Sequence, residues 1–255
     1  PQPLFNLMIA LGLGVVIAAS VVLVREQVFD RVRTLADVRE KLRRHPLGAI
    51  PLAKDGEVDA SEAAQDTKTD IAEAYASVRA SLLLSTSHGL PKSIMFTSAT
   101  GSEGKSTSCF AIALALGRIG KKVLIMDLDL RRPQQHRFFE ARSEGGMADV
   151  LTSNLDIESV THESSFTNIS YITSGAIPPN PTELLSSGNL LHVLSQLQQR
   201  YDVVLIDAPP VLALADALEI SSSVEATIFV IESSKNTTHA LQNALQRVSD
   251  ASNMM

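Results

Sequence analysis

The residues with most chemical potential are Ala99-Thr100-Gly101-Ser102-Glu103-Gly104-Lys105-Ser106-Thr107. They fit the phosphate-loop pattern with Ala in place of the first Gly, after the apolar run Ile94-Met95-Phe96 and before a helical stretch. Glycines let backbone N–H groups turn toward phosphate oxygens, and the positive end of the next helix points to the same place. Lys105 is expected to reach the β- and γ-phosphates, Ser106 to ligate Mg²⁺ and Thr107 to contact the α-phosphate. Thr100, Gly101, Ser102, Glu103 and Gly104 form the rest of the cradle. This pattern predicts nucleoside triphosphate binding.

Two later segments complete such a site. Val123-Leu124-Ile125-Met126 runs into Asp127-Leu128-Asp129-Leu130-Arg131, and Val203-Val204-Leu205-Ile206 runs into Asp207. A carboxylate at the end of an apolar strand is costly to bury unless it meets a cation or donors. Mg²⁺ with its waters is such a partner, which makes Asp127 and Asp207 candidate metal holders beside Ser106. Asp127 and Asp129 are two positions apart, so one or both can face the γ-phosphate, and one of them is the candidate base for a hydroxyl nucleophile. The predicted catalytic set is Lys105, Asp127, Asp129 and Asp207. Arg131 either balances the charge being transferred or forms a solvated or subunit-bridging pair with Arg132.

The elements that must hold these residues read as an α/β fold. Ile94–Thr97, Val123–Met126, Ile169–Ile172, Val203–Ile206 and Ala226–Ile231 are apolar runs of strand length. Their near-continuous apolarity predicts a mostly parallel sheet with helices on both faces. Ser106–Ile119, Thr182–Gln199 and Thr237–Val248 are the expected helices, with Asn180-Pro181-Thr182-Glu183 as a helix start. Ile71, Tyr75, Val78 and Leu82 add a further helical stripe over 71–84.

At the N-terminal side, Leu4 to Val24 is almost unbroken in apolarity, and about 20 such residues span a bilayer as a helix. The seven basic residues between Arg25 and His45 face only four acids there, so the chain after Val24 is expected in the cytoplasm. A cleaved signal peptide would carry its positive charge ahead of the apolar region. The reading is therefore a periplasmic remnant at 1–3, a transmembrane helix at 4–24, a cytoplasmic linker at 25–70, a nucleotide-binding domain at 71–250 and a tail at 251–255. Within the linker, 35–44 is expected as a short helix and 55–70 as flexible. A net charge of −6 argues against a nucleic-acid partner, and a single cysteine, Cys109, excludes an internal disulfide.

The phosphate loop, the Asp-x-Asp-x-Arg segment ending at Arg131 and Ile206-Asp207-Ala208-Pro209-Pro210 resemble the Walker A, A′ and B motifs of bacterial tyrosine kinases. These control capsule and exopolysaccharide export. Arg131-Arg132-Pro133 with His136, Pro179 to Leu185, and Pro46 to Pro51 extend the resemblance over nearly the whole chain. It implies a fold like that of the MinD/ParA ATPases, ATP and Mg²⁺ as cofactors, and autophosphorylation on tyrosine. It also implies an inner-membrane location, the polysaccharide export machinery as partner, and a first membrane helix and periplasmic domain ahead of residue 1. Two features depart from the family pattern. Its ring-forming Glu-x-x-Arg-x-x-Arg helix is represented by Glu73 and Arg79 with Ala76 between, which weakens self-association through that helix. Its C-terminal tyrosine cluster is not found within residues 1–255, so either the tail is truncated or this member has no conventional acceptor; the three tyrosines, Tyr75, Tyr171 and Tyr201, each sit in a setting that suits packing. A MinD/ParA-like ATPase switch, or a scaffold without tyrosine phosphotransfer, is the alternative function. Lys105→Met or Asp129→Asn is expected to abolish transfer and leave the fold intact.

Overall fold

A computed structural model describes residues 3–52, 60–86, 89–141, 145–152, 155–186 and 188–252. In chain order the elements begin with α1 (Pro3–Phe29), α2 (Leu35–Lys41), α3 (Ala60–Gln65) and α4 (Asp70–Leu83). Then come β1 (Ser93–Ser98), α5 (Lys105–Gly117), β2 (Val123–Asp127), α6 (Gln135–Phe138) and α7 (Met147–Leu151). A 3-10 turn at 157–160 leads to β3 (His162–Glu163), β4 (Ile169–Ile172), α8 (Pro181–Ser186) and α9 (Asn189–Arg200). The chain closes with β5 (Val203–Asp207), α10 (Asp216–Ser222), β6 (Ala226–Val230) and α11 (Thr238–Ser252).

The sheet order is β3-β4-β2-β5-β1-β6, parallel except for β3, which pairs antiparallel with β4. Successive side chains of a strand point to opposite faces, so a strand apolar at every position needs cover on both. On one face Met95, Leu124, Met126, Val204 and Ile206 pack with α7, α8, α9 and α10. On the other, Ile94, Phe96, Val123, Ile125, Val203 and Leu205 pack with α4 and α5. Helix α5 lies deep in the molecule, with Cys109 fully buried and Phe110 stacked on Phe138 at 4.9 Å between ring centres. Residue 117 must be Gly for this packing, because a Cβ there would stand 2.6 Å from the Thr167 carbonyl oxygen.

Four features differ from the sequence reading. The helix expected over 182–199 is two helices, α8 and α9, and Gly188 at φ 77° starts the second. Strand β3 carries no apolar signal, since both of its residues are exposed. Residues 60–65 form α3, with Ala64 buried and the Arg118 guanidinium donating to the Ala64 and Gln65 carbonyls. The stretch 30–52 is also packed: Val32 and Leu42 are buried against α11, and Arg31 forms a β-bridge with Thr237. Residues 55–59 of the expected flexible stretch lie outside the described residues.

Among the described residues no helix is long and apolar enough to cross a membrane. Helix α1 has its side chains described at residue 3 and over 7–20, where Leu7, Met8, Leu11, Leu13, Val15 and Val16 are exposed. The tyrosines are accounted for by packing. Tyr75 is buried with its hydroxyl 3.1 Å from Ser108 Oγ, half-buried Tyr171 stacks on Phe139 at 4.2 Å, and half-buried Tyr201 packs against the core.

Candidate active site

Strand register assembles the site. Asp127 at the end of β2 lies directly beside Asp207 at the end of β5, and Asp207 lies beside Phe96 of β1, whose continuation is the phosphate loop. Three separate sequence motifs therefore meet at the C-terminal edge of neighbouring parallel strands, where α/β sheets bind ligands. The loop reaches α5 through two left-handed residues, Ser102 at φ 60° and Gly104 at φ 82°. Gly104 is the N-cap, and its carbonyl accepts the first helical bond from Ser108 N at 2.8 Å. A left-handed residue is strained for most side chains and natural for glycine.

Lys105 Nζ sits 2.9 Å from Asp129 Oδ2, 3.2 Å from Asp207 Oδ1 and 3.3 Å from Ser106 Oγ. All of these groups are buried. Burial acts to lower the Lys105 pKa, but the charges of Asp207 and Asp129 outweigh it and hold the ammonium above its usual value. Asp127 is fully enclosed: Oδ1 accepts from Asp129 N at 3.1 Å, and Oδ2 from Gln134 N at 3.0 Å and Gln135 N at 2.9 Å. Burial, with the Asp207 charge alongside, pushes the Asp127 carboxyl up to about 7 despite these donors. Lys105, Ser106, Asp127, Asp129 and Asp207 thus converge as expected from sequence.

Glu103 and Arg131 are turned elsewhere. The Glu103 carboxylate turns away into the loop's own scaffold, accepting from Thr100 N at 2.6 Å, Thr100 Oγ1 at 2.8 Å, Asn236 Nδ2 at 3.0 Å and Glu232 N at 3.2 Å. Its backbone is what it can offer a phosphate. Arg131 pairs with buried Asp216 at 2.7 Å and donates to Thr182 Oγ1 at 3.2 Å, tying the segment after β2 to α8 and α10.

Several participants carried no sequence signal. Gln135 is fully buried and touches all three motifs. Lys235 Nζ donates to the Gly101 and Ser102 carbonyls at 3.0 and 2.6 Å, and with Asn236 it clasps the phosphate loop from the segment after β6. Beside the loop lies a cavity of about 900 Å³, lined by Thr107, Ser108, Leu35, Pro46, Leu47 and Ile228 among others. That is the size of a small-molecule site.

Residues 91–254 match the family model described as an AAA domain. The tyrosine-protein kinase YwqD of Bacillus subtilis is 37% identical over 163 residues, 64% of this chain and 69% of its own length. The solved kinase domain of Escherichia coli tyrosine kinase ETK superposes with a TM-score of 0.81 at 26% identity, covering 87% of this chain and 90% of that one. The chain belongs to the bacterial tyrosine-kinase family. The wider MinD-like fold of these kinases is visible in MinD of Pyrococcus horikoshii, solved with Mg-ADP, at a TM-score of 0.56 and 25% identity over 63% of this chain and 66% of that one. In these kinases, then, the expectation of a mostly parallel phosphate-loop sheet holds.

Proposed function

We propose that this chain is the membrane-anchored kinase part of a polysaccharide co-polymerase, transferring the γ-phosphoryl group of ATP to tyrosine hydroxyls in proteins. The observation that carries the reading is the convergence of Lys105 with Asp127, Asp129 and Asp207 at the loop's mouth. Among the described residues no set of three acidic, His or Cys side chains could by itself hold a metal ion. That suits Mg²⁺, which is bound through one or two protein ligands plus phosphates and water. The donors available are Ser106 Oγ and the Asp207 and Asp127 carboxylates, and three carboxylates beside one ammonium leave negative charge for a cation to neutralise. Bound Mg²⁺ would supply neutralisation of charge developing on the phosphate oxygens.

The chain's own residues would divide the remaining work. Lys105, now held by Asp129 and Asp207, swings to the phosphates and frees both carboxylates. Asp129 is then placed to take the proton of an incoming hydroxyl, with Asp127 the other candidate. Gly101 to Thr107 orient the phosphates through the backbone, and the cavity by Thr107 and Ser108 takes ribose and base. All three tyrosines of the chain are held in packing, which favours acceptors outside residues 1–255. Arg131, paired with Asp216, is read as a brace for the segment carrying Asp129. Self-association through α4 is proposed on exposed Glu73, with Arg79 donating to the Ala115 carbonyl of its own chain.

The 4–24 segment would cross the inner membrane as the first part of α1, leaving the kinase domain in the cytoplasm. Sodium carbonate extraction of bacterial membranes checks this part: the chain stays in the pellet, and release to the supernatant would contradict it. The activity is tested by incubating the chain with γ-labelled ATP, Mg²⁺ and a Glu/Tyr copolymer, followed by phosphoamino-acid analysis. Phosphotyrosine is expected. Phosphate release with no phosphotyrosine would favour the ATPase-switch alternative.

A further inference from the structure

Gln135 is a polar side chain with no exposure to solvent, and no sequence motif points to it. Its Nε2 donates to the Ser106 carbonyl at 3.1 Å and to Asp207 Oδ2 at 2.9 Å, while its backbone N holds Asp127 Oδ2 at 2.9 Å. One residue therefore restrains the hydroxyl-bearing residue of the phosphate loop and both strand-end carboxylates. The amide cannot be turned over. A carbonyl and a carboxylate oxygen only accept, so the nitrogen must face them. That leaves Oε1 buried with no hydrogen-bond partner. An unsatisfied buried acceptor bears the full desolvation cost of its oxygen, and this one lies beside the residues that would hold the ion. The segment that carries it is anchored to the core, because Phe138 and Phe139 pack on Phe110.

We propose that Gln135 is a positioning residue for the divalent cation: it fixes Ser106 and Asp207 in the arrangement the ion needs and offers Oε1 to a donor that arrives with it, a water of its hydration shell. The inference rests on the Mg·ATP reading above. Groups that orient metal ligands from behind change metal affinity by about 10–100-fold when removed. Gln135→Leu keeps the apolar volume and loses both donors and the acceptor.

The test is a Mg²⁺ titration of the full chain in detergent, following the fluorescence of methylanthraniloyl-ADP, with parallel binding curves in EDTA. For Gln135→Leu the Mg²⁺ midpoint rises at least about tenfold while the affinity measured in EDTA is unchanged. An unchanged midpoint overturns the proposal, and so does equal weakening with and without Mg²⁺, the mark of a merely structural role. Should Gln135→Leu lack a cooperative melt, Gln135→Met carries the same expectation, because it has an unbranched chain of similar length and no donor. A wild-type chain whose nucleotide binding ignores Mg²⁺ would instead refute the underlying reading, so the two failures are distinguishable.

Discussion

Replacing Lys105 with Met should do more than stop chemistry. The ammonium is the cation between Asp129 and Asp207, at 2.9 and 3.2 Å, and the side chains are 8%, 5% and 0% exposed. Removing one partner of a buried ion pair costs about 3–5 kcal/mol, because the other charge is left without compensation. For a domain of this size that corresponds to roughly 6–20 °C in Tm, at about 2–4 °C per kcal/mol. The loss should depend on pH. Asp127, already pushed up to about 7, takes a proton on acidification and relieves part of the crowding among the three carboxylates. The assay is calorimetric melting of wild type and Lys105→Met at pH 8 and pH 5, without nucleotide or metal. The expected result is a large Tm gap at pH 8 that narrows at pH 5. A gap that is negligible at pH 8, or equal at both, would mean that Lys105 does not balance the buried carboxylates. The sequence alone suggests an inactive but intact fold for this variant; the double ion pair adds the stability cost.

Three further outcomes follow from individual residues. The raised pKa of Asp127 means the folded chain binds a proton more tightly than the unfolded one, so stability is greatest below the ordinary value of 3.8 and declines as pH rises toward about 7. Melting curves between pH 4 and 8 should show this decline, and Asp127→Asn should flatten it. Asp129→Asn keeps the shape of a side chain that touches Lys105 and accepts from Arg132 N. Phosphotyrosine formation should fall by about 10²–10⁴-fold, the usual worth of a general base, while calorimetric nucleotide affinity stays close to wild type. Arg131→Ala leaves Asp216 buried with Thr182 as its remaining side-chain donor. Because Arg131 is 39% exposed, the expected cost is discounted to about 1–2 kcal/mol in urea unfolding.

The parts of this fold that were legible in the sequence share a property: their signal is local. Strand-length apolar runs gave β1, β2, β4, β5 and β6, and the carboxylates at two of their ends lie where a parallel sheet must place them. The i, i+4, i+7 stripe of Ile71, Tyr75 and Val78 gave α4. What was not legible depends on contacts between distant segments. Gln135 looks like an ordinary loop residue until the chain brings Ser106 and Asp207 to it. Lys235 and Asn236 become part of the phosphate loop's support only because β6 lies next to β1. Val32, Leu42, Leu47 and Ile50 lack a helical or alternating period, so their docking onto the core could not be read from spacing. The break between α8 and α9 has a local sign in Gly188, which the apolar pattern on either side outweighs.

If Lys105 and the three aspartates gather around a metal-bound triphosphate, nucleotide binding depends on both Mg²⁺ and Asp207. Isothermal titration calorimetry with a non-hydrolysable ATP analogue, with Mg²⁺ and with EDTA, on wild type and Asp207→Asn, measures that dependence. Tight binding to the wild type is expected only with Mg²⁺, and that Mg²⁺ dependence is expected to be lost in Asp207→Asn. Binding that is absent from the wild type, or that is indifferent to both Mg²⁺ and Asp207, would contradict it.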